Sequence, residues 1–84
     1  MKIGVAGSLE SNDAQITVKE GEGISIAIKS IVYDFFAEDI ERVVRNTLDE
    51  RNITNLSVTV EDKGALDCTI KARLLCALDR MEEN

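Results

Sequence analysis

The chain has 84 residues with no proline and no histidine, enough for one domain and too few for two. Its formal net charge of −6, with no run of Lys and Arg, lacks the basic patch that displaces counterions from phosphates, so neither nucleic acid nor an anionic membrane surface is an expected partner. No apolar run approaches the roughly 20 residues of a membrane span, and "MKIGVAGS" is too short an apolar stretch for a signal peptide, so a cytoplasmic chain is expected.

Hydrophobic residues make up 44% of the chain and aromatic residues only 4%, so aliphatic side chains must fill a small core. "KIGVAG" (2–7) reads as a first strand running into the polar turn "SLESND" (8–13). "AQITVK" (14–19) and "ISIAIK" (24–29) alternate apolar and polar residues, the mark of strands with one buried face. The four residues "EGEG" (20–23) between them predict a hairpin, with glycine free to take positive φ. From Ser30 to Asn52 the period changes: Val32, Phe36, Ile40, Val43 or Val44, and Leu48 recur at helical steps. Ser30 is the predicted N-cap, Asp34 favours the positive end of the helix dipole, and Asn52 closes the helix. Glu38, Asp39, Glu41 and Arg42 form its wet face.

"LSVTVE" (56–61) returns to alternation, "DKGA" (62–65) follows as a turn with Gly64 left-handed, and Leu66, Cys68, Ile70 and Ala72 alternate again. This predicts a second hairpin and a C-terminal helix from about Ala72; one long helix from Lys63 to Met81 is the competing assignment. The sum is an α+β fold: a mainly antiparallel sheet, one long central helix and a C-terminal helix on one face.

Chemistry is sparse. Without histidine the commonest general base is missing, and there is no phosphate-binding glycine loop. No nucleophile–base pair emerges, so a self-contained enzyme is not expected. Cys68 and Cys76 lack CxxC spacing and companion histidines, so no metal site is expected. Both read as unpaired core residues, Cys68 on a buried strand face and Cys76 under the last helix. Asn52-Ile53-Thr54 and Asn55-Leu56-Ser57 match the glycosylation pattern, a chance match in a chain that is not exported. What remains is Ser11, at the tip of a polar turn: a serine that another enzyme modifies needs exposure and no base of its own.

"VAGSLESND" (5–13) and "DKGALDCTIKAR" (62–73) resemble, in order and spacing, the two signature stretches of citrate lyase acyl carrier proteins, the gamma subunits of bacterial citrate lyase. The likeness covers nearly the whole chain. It implies a single acyl carrier domain over residues 1–84, with no catalytic residue and no metal of its own. The serine of the Leu9-Glu10-Ser11 triplet would carry 2′-(5″-phosphoribosyl)-3′-dephospho-coenzyme A through a phosphodiester. Ser8 stands where the family accepts threonine or serine and is not the favoured site. The implied partners are the alpha subunit, which exchanges acetyl for citrate on the arm, and the beta subunit, which with magnesium cleaves the citryl thioester to oxaloacetate. A prosthetic-group transferase would load the arm, with Leu9, Glu10 and Asp13 as candidate recognition residues. Asp62, Lys63 and Asp67 are candidates for a docking edge, and a turn with solvated charges accounts for them equally well. Helical acyl carriers place their serine at Asp-Ser-Leu opening a helix; Glu-Ser-Asn among strand-like sequence predicts a fold other than that four-helix bundle. The carrier subunit of malonate decarboxylase, and an interaction domain with unmodified Ser11, are the alternative functions.

Overall fold

The structure is a computed structural model that describes residues 2–31 and 33–83, with the side chains of 33–36 excluded. Its elements are β1 (Ile3–Gly7), β2 (Ala14–Lys19), β3 (Ile24–Ser30), α1 (Tyr33–Glu50), β4 (Leu56–Asp62) and α2 (Asp67–Glu83). The four strands form one sheet in the order β1-β2-β4-β3. β2 is antiparallel to both β1 and β4, while β3 and β4 run parallel, so the sheet is mixed and mostly antiparallel. The predicted α+β class holds, and the fold is not a helical bundle.

The alternation of β2 and β4 decides what is buried. Rows such as Ala6–Ile16–Val60–Ile28 cross all four strands on one face. On β2 and β4, Ala14, Ile16, Val18, Leu56, Val58 and Val60 are buried, while Thr17 and Thr59 face the other way and are half-buried. Both helices close over the apolar face. α1 contributes Ile40, Val44 and Leu48, and α2 contributes Ile70, Leu74, Ala77 and Leu78. Each of the larger side chains is worth about 1.5–3 kcal/mol of transfer free energy when fully buried.

The two predicted hairpins are corrected. Strand 14–19 does not pair with 24–30, because β4 lies between them. Alternation tells which face a strand buries but not its neighbour; β3 registers in parallel on β4, Ile24 opposite Leu56. The four residues 20–23 span two strand spacings, roughly 10 Å, within reach of so short a link. They cross over the start of β4, where Gly23 N–H donates to Asn55 Oδ1 (2.9 Å) and Leu56 N–H to the Gly23 carbonyl (2.9 Å). α1 is the crossover that a parallel pair requires. The hairpin that does form joins the predicted first strand to β2.

Residues 66–72 are not a strand. α2 begins at Asp67, close to the competing single-helix assignment. Ile70 joins Leu74, Ala77 and Leu78 at helical steps, while Leu66, Cys68 and Ala72 are exposed. Cys68 therefore sits in the first turn of α2 in solvent, contrary to its expected buried strand position, and Cys76 is half-buried against the core.

At the other helix, Ser30 ends β3 and its hydroxyl donates to Asp62 (2.7 Å), three residues before α1 begins at Tyr33. Val32 and the side chains of Asp34 and Phe36 fall outside the described residues. Asn52 closes α1 as expected, at φ 57°, with Ile53 N–H to the Leu48 carbonyl and Asn52 N–H to the Asp49 carbonyl, both 3.0 Å. That pair of bonds is a Schellman closure. Gly4 lets β1 lie directly under α2: a Cβ there would stand 1.9 Å from the Ala77 carbonyl oxygen and 2.7 Å from Met81 N.

Candidate functional site

The row Ala14–Asp62–Ser30 fixes one end of the sheet, and three connections leave it there: the β1–β2 loop, the β3–α1 junction and the β4–α2 turn. Ser11 lies in the first. The Asp13 amide donates to the Glu10 carbonyl (3.2 Å), closing a β-turn with Ser11 and Asn12 at its centre. Asn12 adopts φ 66°, a left-handed conformation that asparagine tolerates better than most residues. Leu9 (50% exposed), Glu10, Ser11 and Asn12 all face solvent. Among the described residues the Ser11 hydroxyl makes no hydrogen bond.

The turn is free at its tip and held at its base. Asn12 N–H donates to the Lys63 carbonyl (2.8 Å) and Lys63 N–H to the Asp13 carbonyl (2.9 Å), a short ladder joining this loop to the β4–α2 turn. The Asp13 carboxylate accepts from the Ser8 hydroxyl (2.7 Å), the Ala14 amide (2.7 Å), and Arg73 through Nε and Nη2, both 3.0 Å. The bonds from Ser8, Arg73 and the Ala14 amide hold its pKa down to about 2 from an ordinary 3.8. Ser8 in turn accepts from the Glu10 amide (3.3 Å), so its hydroxyl is spent within the loop.

The predicted docking trio divides. Asp62 is only 2% exposed, and its oxygens accept from the Ser30 hydroxyl (2.7 Å), the Gly64 amide (3.2 Å) and the Ala65 amide (2.8 Å). Its carboxylate is thus an internal fixture of the turn and not part of an exposed docking edge, because a buried acid must spend its charge on nearby donors. Gly64, at φ 93°, is left-handed as expected. Lys63 is half-buried, and Asp67 is exposed at the head of α2, on the rim of an open groove of about 670 Å³ that Ile40, Ala65 and Leu66 also line. Of the predicted recognition residues, Leu9 and Glu10 remain presented to solvent, whereas Asp13 is turned inward, its side chain 16% exposed.

Arg73 carried no role in the sequence, and Ser30 only that of a helix cap. The signal for Arg73 is that it ends the second of the two signature stretches, and those stretches meet in space through Asn12, Asp13, Lys63 and Arg73. What this arrangement offers chemically is an exposed primary hydroxyl on a fixed turn, with no base among the described residues bonded to it. An exposed apex of this kind leaves room for a phosphodiester-linked group. Among the described residues no cluster of metal-ligating side chains occurs, and no helix is long and apolar enough to cross a membrane.

Known proteins are similar to this chain over most of its length. The citrate lyase acyl carrier protein of Lactobacillus acidophilus is 45% identical over 80 residues, covering 94% of this chain and 82% of that one. The chain belongs to the citrate lyase acyl carrier protein family. The proteins of that name from Haemophilus influenzae (47% over 79 residues) and Lactiplantibacillus plantarum (48% over 80 residues) each cover 94% of this chain and 83% of their own length. A family model described as "Malonate decarboxylase delta subunit (MdcD)" matches residues 1–81. In three dimensions the chain is similar to one in the crystal structure of a Pseudomonas malonate decarboxylase hetero-tetramer in complex with malonate. The TM-score is 0.77 at 20% identity, over 98% of this chain and 82% of the other, a likeness of fold. The family's members are acyl carrier subunits.

Proposed function

We propose that this chain is the acyl carrier subunit of a citrate lyase, with Ser11 as the anchor of a phosphodiester-linked 2′-(5″-phosphoribosyl)-3′-dephospho-coenzyme A. The observation that carries the reading is the placement of the Leu9-Glu10-Ser11 triplet: its serine is exposed and unbonded at the centre of a turn whose base is pinned to the β4–α2 turn and to α2. When bound, the group supplies a terminal thiol on which acyl thioesters are carried, chemistry the protein itself lacks. The chain contributes a fixed attachment point and a surface. Tethering makes delivery intramolecular, at an effective concentration on the order of millimolar. The partners are a transferase (alpha) subunit and a lyase (beta) subunit, together with the enzyme that loads the arm.

Intact mass of the chain purified from its native host, followed by peptide mapping, tests this. A phosphodiester adduct confined to Ser11 is expected; the Ser11→Ala chain should fold normally, carry no adduct and fail to restore citrate cleavage to alpha and beta subunits. An unmodified native chain overturns the reading in favour of a plain interaction domain. The malonate decarboxylase carrier is the second reading, favoured by the shared fold and the family model, yet the 45–48% identities are to citrate lyase carriers. Restored malonate decarboxylation in place of citrate cleavage would select it.

A further inference from the structure

We infer that Arg73 is a positioning residue for the loading of Ser11, acting through Asp13; this rests on Ser11 being the anchor. Arg73 makes no hydrogen bond to Ser11. It grips Asp13, two residues away, with both arms of its guanidinium fork. The geometry is bidentate, which arginine provides and lysine cannot. Its own base is rigid, since Ile70 and Leu74 on either side of it in α2 are fully buried. The carboxylate of a surface loop is thereby fastened to a helix sixty residues further along the chain.

That fastening matters because the loop has little else to hold it. Asn12 is left-handed, Leu9 to Asn12 are in solvent, and the ladder to Lys63 consists of two amide bonds. Asp13 gathers Ser8, Ala14 and Arg73 onto one carboxylate, and loss of the Arg73 arm frees the base of the turn. In loading, Ser11 Oγ forms a new O–P bond as an anhydride P–O bond of the activated, phosphoanhydride precursor breaks, and the remaining phosphate portion of the anhydride leaves as its anion. The hydroxyl proton passes to a base of the modifying enzyme, which this chain does not supply. Apparent affinity for that enzyme falls in proportion to the fraction of carriers whose turn is formed. Asp13, then, is read through the shape it imposes and not by contact.

The full-length chain made without its prosthetic group is the substrate for the test, in wild-type, Arg73→Gln, Asp13→Asn and doubly substituted forms. Loading rates by intact mass give kcat and KM, hydrogen exchange reports the Asn12 and Lys63 amides, and circular dichroism reports the fold. Expected for Arg73→Gln are an unchanged fold, faster exchange at both amides, and a KM for the carrier raised roughly tenfold with kcat little altered. Asp13→Asn should be at least as severe, since it also weakens the bonds from Ser8 and the Ala14 amide, and the double variant should be no worse than Asp13→Asn alone, because the Arg73 contact is already lost. Wild-type KM in Arg73→Gln, or additive losses in the double variant, would overturn the role; additivity would mean the enzyme touches Asp13 itself. An adduct elsewhere than Ser11 on the wild-type chain would instead overturn the functional reading beneath it.

Discussion

Replacing Asp62 by alanine separates a structural acid from a docking acid. The carboxylate is 2% exposed and accepts three bonds, from the Ser30 hydroxyl at 2.7 Å, the Ala65 amide at 2.8 Å and the Gly64 amide at 3.2 Å. A hydrogen bond to a charged acceptor contributes about 1.5–3 kcal/mol net, and the long Gly64 bond adds little. Gly64 and Ala65 are half-buried, so their amides recover some water when the acceptor is gone. The low end of the range therefore applies, and Asp62→Ala should cost about 3 kcal/mol. For a domain of this length that lowers the melting temperature by roughly 12–24 °C. Asp62→Asn, which keeps an acceptor, should recover about half of the loss, and Ser30→Ala should cost about 1 kcal/mol. Lys63→Ala and Asp67→Ala should each stay within about 0.5 kcal/mol, since Lys63 contributes through its backbone and Asp67 is exposed. Thermal and urea unfolding followed by far-ultraviolet circular dichroism measure all five. A melting temperature for Asp62→Ala within 3 °C of wild type would refute the claim that this acid holds the turn.

Three further outcomes are expected. Gly4→Ala should cost at least about 3 kcal/mol in urea unfolding, because its Cβ would meet helix backbone at 1.9 and 2.7 Å and neither strand nor helix can yield locally; a wild-type midpoint would contradict that packing. Asp13 keeps its charge in the folded chain down to about pH 2 against an ordinary 3.8, so its stabilising contribution is complete above about pH 4 and is lost as pH falls from there towards 2; urea midpoints across that window should converge between wild type and Asp13→Asn, and a constant gap would count against it. Cys68 should react with a thiol reagent at the rate of a free thiol while Cys76 is protected, and equal rates for the two would overturn the placement of residues 66–72 on α2.

Much of the fold was legible because period-two and period-3.6 patterns report burial. Ile16, Val18, Val58 and Val60 stood out as inward residues, as did Ile40 and Leu48, while the choice between Val43 and Val44 stayed open until the structure buried Val44. Pairing was not legible: strands 14–19 and 24–30 look like a hairpin, and nothing local to "EGEG" says that residues 56–62 will slip between them. The failure at 66–72 has another source, since Leu66, Cys68, Ile70 and Ala72 fit alternation by chance, whereas Ile70 belongs with Leu74 and Leu78. At the site, the exposure of Ser11 and the left-handed Gly64 followed from turn chemistry. The inward roles of Asp13 and Asp62 did not. A lone acid in a loop reads as solvated until its donors, here Arg73 and Ser30, are brought from elsewhere in the chain.

The span between Asp13 and Arg73 sets an order of events in the making of this protein. When the first hairpin leaves the ribosome Ser11 is already present, but the backbone of Lys63 and the guanidinium that fasten its turn have yet to be synthesised. The turn reaches its final shape only after β4 has inserted between β2 and β3 and α2 has docked. On the role proposed for Arg73, loading would disfavour nascent, truncated and misfolded copies, and the arm would go mainly to finished carriers. A peptide of residues 1–31 should accordingly be a far poorer acceptor than the full chain, although it contains the whole Leu9-Glu10-Ser11 triplet.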